Sequence, residues 1–168
     1  MEMKCSDSFS SVLINCVSLQ GQMKQDIPYY QTPCIDDHLL TETDMVVKGN
    51  LHDVCSRIIF KILWLTRRVR PDTYWAVNSL AREVSKWTVA CDKRLHRLIG
   101  YLRWSKHHSL QMTVGNDPKD CVIMYFADAD FAGSVKDSKS TSGGYMMLLG
   151  PQTFVPIAWL CKKQGVIS

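Results

Sequence analysis

The chain has 168 residues, of which 46% are hydrophobic and 21% are charged, a composition typical of globular proteins that excludes disordered, collagen-like and coiled-coil chains. Its net charge of +4 permits binding to nucleic acid but does not by itself indicate it. The longest apolar runs fall well short of the ~20 residues that a membrane helix needs, so we expect no membrane partner.

Seven cysteines are scattered along the chain, and none of them belongs to a CxxC pair. This spacing excludes a zinc knuckle or ribbon. Scattered single cysteines are typical of reduced proteins. The predicted location is therefore intracellular, in the cytoplasm, the nucleus or both.

The first 49 residues carry little pattern. Residues 1–25 have no clean periodicity and form an unassigned leader, whereas residues 26–49 are acidic and contain proline, which predicts an extended connector. Asp36 and Asp37 are not predicted to be a polymerase carboxylate pair, because Cys34 stands where such sites carry an aromatic residue.

A first helix is predicted over residues 51–69, with Asn50 as its N-cap. Apolar residues recur at helical spacing on one stripe, and further apolar residues lie on the other side, which predicts a helix buried on most of its surface. The stripe consists of Leu51, Val54, Cys55, Ile58, Ile62 and Leu65. The apolar residues on the other side of the helix are Phe60, Leu63 and Trp64.

Two more helices complete a helical region over residues 50–108. Pro71 ends the first helix, and Asp72 is predicted to cap a second one over residues 73–86. Thr88 is predicted to cap a third helix that reaches Lys106.

The third helix is predicted to have two unlike faces. At ~100° per residue, its apolar residues fall on one side. Cations and aromatic residues fall on or beside the opposite side: Lys93, Arg94, Arg97, Tyr101 and Trp104. Arg and Lys neutralise phosphates, and Tyr and Trp stack on bases. This face is therefore a candidate nucleic-acid-binding surface, with a solvated helix face as the alternative.

Strand patterns begin after Ser109. SLQMTV (109–114) predicts a strand, and CVIMYFA (121–127) is a continuous apolar run, as expected for a strand buried on both faces. YMMLLG and TFVPIAWLC predict a hairpin through Gly150 and Pro151.

The polar segment between these strands, SVKDSKSTSGG (134–144), predicts a loop. Small hydroxyls and glycines beside lysines can hold a phosphate. A hairpin loop without a ligand explains the pattern as well, because the glycine and lysine spacing of a P-loop is absent.

Asp128 lies at the end of the most hydrophobic predicted strand. A buried carboxylate is costly unless it is paired, hydrogen-bonded or bound to a metal. Strand alternation puts Asp130 on the same side as Asp128, and two carboxylates on one side suit a hard cation such as Mg²⁺. The alternative is a strand that ends in two solvated turn residues.

Four segments resemble, in order and spacing, the Pol polyprotein of copia-type LTR retrotransposons. RPDTYWAVNSLAREVSKW (70–87) resembles the family's RPD-x-x-x-AV-x-x-L-x-R, and RLHRLIGYLRWSK (94–106) resembles its R-x-L-x-YL-x-x-T. YFADADFAGSVKDSKSTSGGYMMLLG (125–150) resembles SDADWAG…RSTSGY, and VPIAWLCKKQ (155–164) resembles ISW-x-SKKQ. The resemblance covers residues 30–168.

The resemblance implies an α+β fold in two parts. Residues 50–108 would form the helical C-terminal region of a reverse transcriptase, and residues 109–168 the N-terminal part of an RNase H-like domain with a partial antiparallel sheet. Asp128 aligns with the first metal-binding aspartate of RNase H. A catalytic and metal-binding role for Asp128, with Asp130 beside it and Mg²⁺ or Mn²⁺ as the ion, is therefore what the resemblance implies.

The parent activities of the family are DNA synthesis and two-metal hydrolysis of RNA in RNA–DNA hybrids. The family carries a glutamate ligand soon after SKKQ, whereas no glutamate follows Glu83 here. We therefore expect an incomplete site, no tight metal binding and no turnover by this chain alone.

The expected partners are a weakly bound RNA–DNA hybrid or other nucleic acid and the remainder of the polyprotein. A non-catalytic nucleic-acid-binding module and a degenerate transposon relic are the alternatives.

Overall fold

The computed structural model describes residues 27–129 and 140–165. These residues divide into two compact units, one that ends at His108 and one that begins at Ser109. They hold four helices and one three-stranded antiparallel sheet, which confirms the predicted α+β class. The predicted leader over residues 1–25 lies outside the described residues.

The first unit is helical. Its helices are α1 (Glu42–Val46), α2 (Cys55–Val69), α3 (Tyr74–Arg82) and α4 (Val89–Trp104). The apolar stripes of the last three form its core, as their helical periodicity predicts. The most deeply buried core residues include Ile58, Ile59, Ile62, Leu65, Val77, Leu80, Trp87, Leu95, Leu98, Ile99 and Leu102. Among the described residues, no helix is long and apolar enough to cross a membrane.

The segment predicted as an extended connector contains a helix, which corrects that prediction for its second half. Thr41 and Asp44 form a capping box that starts α1: the Thr41 hydroxyl accepts from the Asp44 N–H at 3.2 Å, and the Asp44 carboxylate accepts from the Thr41 N–H at 2.9 Å. Because the two bonds satisfy backbone donors that a helix end leaves unpaired, five residues suffice for a short helix here.

Two of the three predicted helix caps are wrong. Asn50 does not cap α2, because the helix begins at Cys55 with Val54 as its N-cap residue. The backbone N–H of Asn50 donates to the Asp92 carboxylate at 2.6 Å. Asp72 lies in a 3₁₀ turn before α3, and its carboxylate is held by Arg70. Thr88 is the N-cap residue of α4, as predicted, although its hydroxyl makes no capping hydrogen bond.

Burial of α2 is one-sided. The predicted stripe is buried at Leu51, Cys55, Ile58, Ile62 and Leu65. On the other side, Phe60 is 53% exposed and Trp64 is 51% exposed, so the prediction of a helix buried on most of its surface is wrong. The core lies on one side of α2, and the two aromatic rings on the other side stay about half exposed.

The second unit is a meander of three strands, β1 (Val122–Ala129), β2 (Thr141–Gly150) and β3 (Thr153–Lys163), in the order β1-β2-β3. The predicted β2–β3 hairpin is confirmed, with Gly150 opposite Thr153. The register shifts between Met146 and Met147, which lie opposite Ala158 and Pro156, so that Ile157 has no partner in the β2–β3 register. Proline is tolerated at such a shift because it has no N–H to give to the ladder.

Three predictions for this unit need correction. Residues 109–114 form no strand, and Thr113 makes one isolated bridge to Phe154. Thr141–Gly144, predicted as loop, begins β2, while residues 130–139 lie outside the described part of the chain. β1 is exposed throughout rather than buried on both faces.

Candidate functional site

Asp128 is the penultimate residue of β1, where it pairs with Gly143 of β2 and is exposed. Asp130, its predicted companion, lies outside the described residues. Within the described part of the chain, no group of three or more His, Cys, Asp or Glu side chains could hold a metal ion. Asp128 fits the role of one oxygen ligand for Mg²⁺, and one ligand leaves such an ion most of its water shell.

The predicted basic face of α4 is covered by residues 27–44, which we call the strap. The ammonium of Lys93 lies 2.6 Å from the carboxylate of Asp44. The guanidinium of Arg94 lies 2.8 Å from the carboxylate of Asp37. The strap therefore supplies acids to two of the three cations that were expected to meet phosphates.

Hydrogen bonds stabilise the charged form of the Asp44 carboxylate. The hydrogen bond from Lys93, together with the bonds to Thr41, lowers the pKa of Asp44 to about 2. The Asp44 carboxylate is therefore charged at neutral pH, and it neutralises Lys93 in place.

Arg97, the third cation of the face, is also held by the strap. Its guanidinium donates to the carbonyl of Thr32 at 3.1 Å and to the hydroxyl of Thr32 at 2.6 Å. It also lies over the ring of Tyr30, 4.2 Å from the ring centroid. Gly100 allows this approach, because a Cβ there would collide with the Pro28 carbonyl and the Tyr30 ring.

The two aromatic residues of the predicted face, Tyr101 and Trp104, differ in burial and in their contacts. Tyr101 is buried, and its hydroxyl donates to Asp72 at 2.6 Å. Burial and that hydrogen bond raise the pKa of Tyr101. Trp104 is 41% exposed and packs edge-on against His108, with 5.3 Å between ring centroids. Tyr101 is thus unavailable for stacking on a base, and α4 presents no open face of cations and rings.

The RPD motif forms a buried polar network. Arg70 is 3% exposed, and its guanidinium binds both oxygens of Asp72 and the hydroxyl of Ser105 at 2.6 Å. Burial alone would raise the pKa of Asp72, but hydrogen bonds from Arg70 and Tyr101 hold it below its usual value. The network joins the start of α3 to both ends of the last turn of α4, so this motif has a structural role here.

Sequence reasoning missed an exposed surface on α2, which we call the α2 outer face. It consists of Arg57, Phe60, Lys61, Trp64 and Arg68. Four of these residues line a shallow pocket: Arg57, Phe60, Lys61 and Trp64. The signal that could have found it is the recurrence of cations and rings at three- and four-residue spacing in a helix without an acidic residue.

No protein-family model matches the chain, and no solved structure matches it significantly. It is 35% identical over 99 residues to "Retrovirus-related Pol polyprotein from transposon RE1" of Arabidopsis thaliana, and the same holds for the polyprotein of transposon RE2 from that plant. Each match covers 58% of this chain and 6% of the relative. "Secreted RxLR effector protein 161" of Plasmopara viticola is 30% identical over 107 residues, which are 64% of this chain and 70% of that relative.

These matches support a retrotransposon polyprotein origin for the chain. The chain is similar to the retrovirus-related Pol polyproteins of transposons, which confirms the resemblance predicted from the four motifs. It spans 6% of the length of the two transposon polyproteins that it matches.

Proposed function

We propose that this chain is the part of a retrotransposon Pol polyprotein that joins the end of a reverse transcriptase to the start of an RNase H domain. In this role, Asp128 supplies one carboxylate to the two-metal centre that hydrolyses RNA in RNA–DNA hybrids. The observation that carries the proposal is an exposed carboxylate on the first strand of a β1-β2-β3 antiparallel meander, in the segment that resembles the family's metal-binding motif.

A metal site that is shared with another part of the polyprotein fits this geometry. Two metal ions ~4 Å apart need carboxylates from several elements, and Asp128 is not joined by a group of metal-binding side chains in the described residues. The described residues leave one edge of β1 unpaired in the sheet. This edge and the carboxylate beside it are where the remainder of the polyprotein would complete both the sheet and the metal centre.

In this proposal the metal ion and Asp128 have different roles. When bound, Mg²⁺ or Mn²⁺ would activate a water and stabilise charge on the scissile phosphate. Asp128 would hold one ion near the end of β1, where the residue is exposed to solvent. The chain alone lacks further ligands among its described residues, so turnover requires the rest of the polyprotein.

The test compares this chain with a fusion that continues it into the downstream part of the Arabidopsis RE1 polyprotein. The substrate is an RNA–DNA hybrid with Mg²⁺ or Mn²⁺. The fusion should cut the RNA strand, the chain alone should not, and Asp128→Asn should reduce cleavage by the fusion to background. The matched control is Asp120→Asn, which removes an exposed acid of the same unit and should leave cleavage intact.

Three outcomes would overturn the proposal. Cleavage by the chain alone that disappears in Asp128→Asn would show a complete site. Cleavage by the fusion that survives Asp128→Asn would remove this residue from the metal centre. A fusion that folds but does not cut would favour the degenerate relic.

A further inference from the structure

The outer side of α2 has an unusual charge pattern for a helix at the surface of a protein. Between Cys55 and Val69 the helix carries four cations and no acid. Among the described residues, no carboxylate forms an ion pair with Arg57, Lys61 or Arg68. This is the opposite of α4, where the strap provides acids for Lys93 and Arg94.

The aromatic residues of this side are not needed for the core. The opposite stripe of α2 is already buried, with Ile58, Ile62 and Leu65 each at most 1% exposed. Phe60 and Trp64 nevertheless remain 53% and 51% exposed. Adjacent large apolar groups in water indicate a surface that another molecule covers.

The spacing aligns cations and rings on one line. Arg57, Lys61, Trp64 and Arg68 recur at intervals of four, three and four residues, so they lie on one face over a length of ~17 Å. Phe60 lies one turn before Trp64, and both line the shallow pocket with Arg57 and Lys61. The Arg68 guanidinium lies 5.8 Å from the centroid of the Trp64 ring.

We infer that the α2 outer face binds single-stranded nucleic acid. Its cations neutralise successive phosphates, and unpaired bases stack on the rings of Trp64 and Phe60. Cations that track a backbone between aromatic stacking platforms are the chemistry by which proteins bind single strands without reading sequence. The α2 outer face does not include Asp128, and the inference does not rest on the proposed hydrolysis.

Two other occupants fit less well. A duplex keeps its bases stacked inside, so it could use the cations but not the rings. A membrane surface requires a broad apolar face, whereas the broad apolar face of α2 is buried in the core and its outer side offers two rings flanked by cations. Both alternatives are decided by the same experiment.

The test measures binding of a fluorescently labelled oligothymidylate to the whole chain by anisotropy at several salt concentrations. Three phosphate contacts predict a slope of log K against log salt of roughly −2 for a single strand. Arg57→Gln with Lys61→Gln should flatten this slope by about 1.4. The matched control, Arg82→Gln with Lys86→Gln, removes two exposed cations of the same unit and should leave the slope unchanged.

Stacking is tested separately from charge. Trp64→Leu should weaken binding about tenfold or more, as loss of a stacked base does, and should abolish the quenching of tryptophan fluorescence by the oligonucleotide. Trp75→Leu is the matched control, since Trp75 is 54% exposed on α3. It should retain both affinity and quenching. Circular dichroism of each variant establishes that it is folded, which these exposed positions favour.

The inference fails if the wild-type chain does not bind the oligonucleotide, or if the four variants bind alike. It also fails if a DNA duplex of equal length binds more tightly than the single strand, or if the chain binds phosphatidylserine vesicles but no oligonucleotide. None of these outcomes depends on cleavage, so this inference and the proposed function can fail independently.

Discussion

The buried carboxylate of Asp92 in the first turn of α4 accepts a hydrogen bond of 2.6 Å from the indole N–H of Trp87. The same carboxylate accepts from the backbone N–H groups of Asn50, at 2.6 Å, and Leu51, at 3.3 Å. Asp92 is 6% exposed and Trp87 is 1% exposed. One acidic side chain therefore ties the turn before α2 to the start of α4 and pairs three donors.

Replacement of Asp92 by alanine should destabilise the helical unit by about 3 kcal/mol, because several buried donors would lose their partner at once. Urea denaturation followed by circular dichroism at the helical band measures this change. Asp53→Ala is the control, since the Asp53 side chain is 87% exposed and its loss should change stability by no more than about 0.5 kcal/mol. Equal midpoints for the two variants would contradict the role assigned to Asp92.

The sequence pattern correctly predicted those helices and strands that depend on residues close together in the chain. The buried stripe of α4 follows from residues three and four apart, and the β2–β3 hairpin follows from two strand-like runs around Gly150 and Pro151. The position of Asp128 on a strand followed in the same way. Each of these features depends on contacts or conformations within a short stretch of sequence.

Features that depend on distant partners were not predictable from the pattern. The hydrogen bond from the Asn50 N–H goes to Asp92, which lies 42 residues away, so the sequence around Asn50 gives no sign of it. Arg94 was predicted to face solvent or a phosphate, because its acidic partner, Asp37, lies 57 residues away in the sequence. An apolar run such as that in β1 shows that a strand can be buried, but what covers it is decided by other parts of the protein.

The pKa of Asp44 provides a test of the strap. The hydrogen bond from Lys93 lowers this pKa from an ordinary 3.8 to about 2. Because the folded-state value is the lower one, the stability contributed by Asp44 is complete above pH ~4 and is lost as pH falls through about 2. Carboxyl-detected NMR should give a value near 2, and Lys93→Met should raise it. Lys86→Met is the control and should not move it.

β1 should make the isolated chain prone to self-association. Its edge position leaves one side of the strand unpaired in the described sheet, and Ile123 and Tyr125 are 67% and 57% exposed. Exposed apolar edges pair with other chains, and a charge on the edge prevents this. Ile123→Lys should therefore reduce association in light scattering. Asp120→Asn changes the net charge equally and should not. A wild-type chain that stays monodisperse would contradict the prediction.

Asp128 by itself should bind Mg²⁺ weakly. An ion that keeps most of its waters gains little from one carboxylate, and the described residues provide no cluster around Asp128. Titration calorimetry of the chain should give a dissociation constant of about 1 mM or weaker. Micromolar affinity that Asp128→Asn removes would show that the chain holds a complete metal site.

The α4 cations should hold the strap rather than bind nucleic acid. Arg94 is paired with Asp37, and Arg97 is bonded to Thr32 and stacked on Tyr30. Arg94→Ala with Arg97→Ala should therefore speed amide hydrogen exchange in the strap, because its side-chain anchors are removed. The salt dependence of oligonucleotide binding should stay unchanged in this variant, because both guanidiniums are already engaged by strap oxygens. An open basic face would give the opposite result, a slope flattened by roughly 1.4 with no change in hydrogen exchange. Measuring both quantities on the same variant decides whether α4 is an anchor for residues 27–44 or a binding surface.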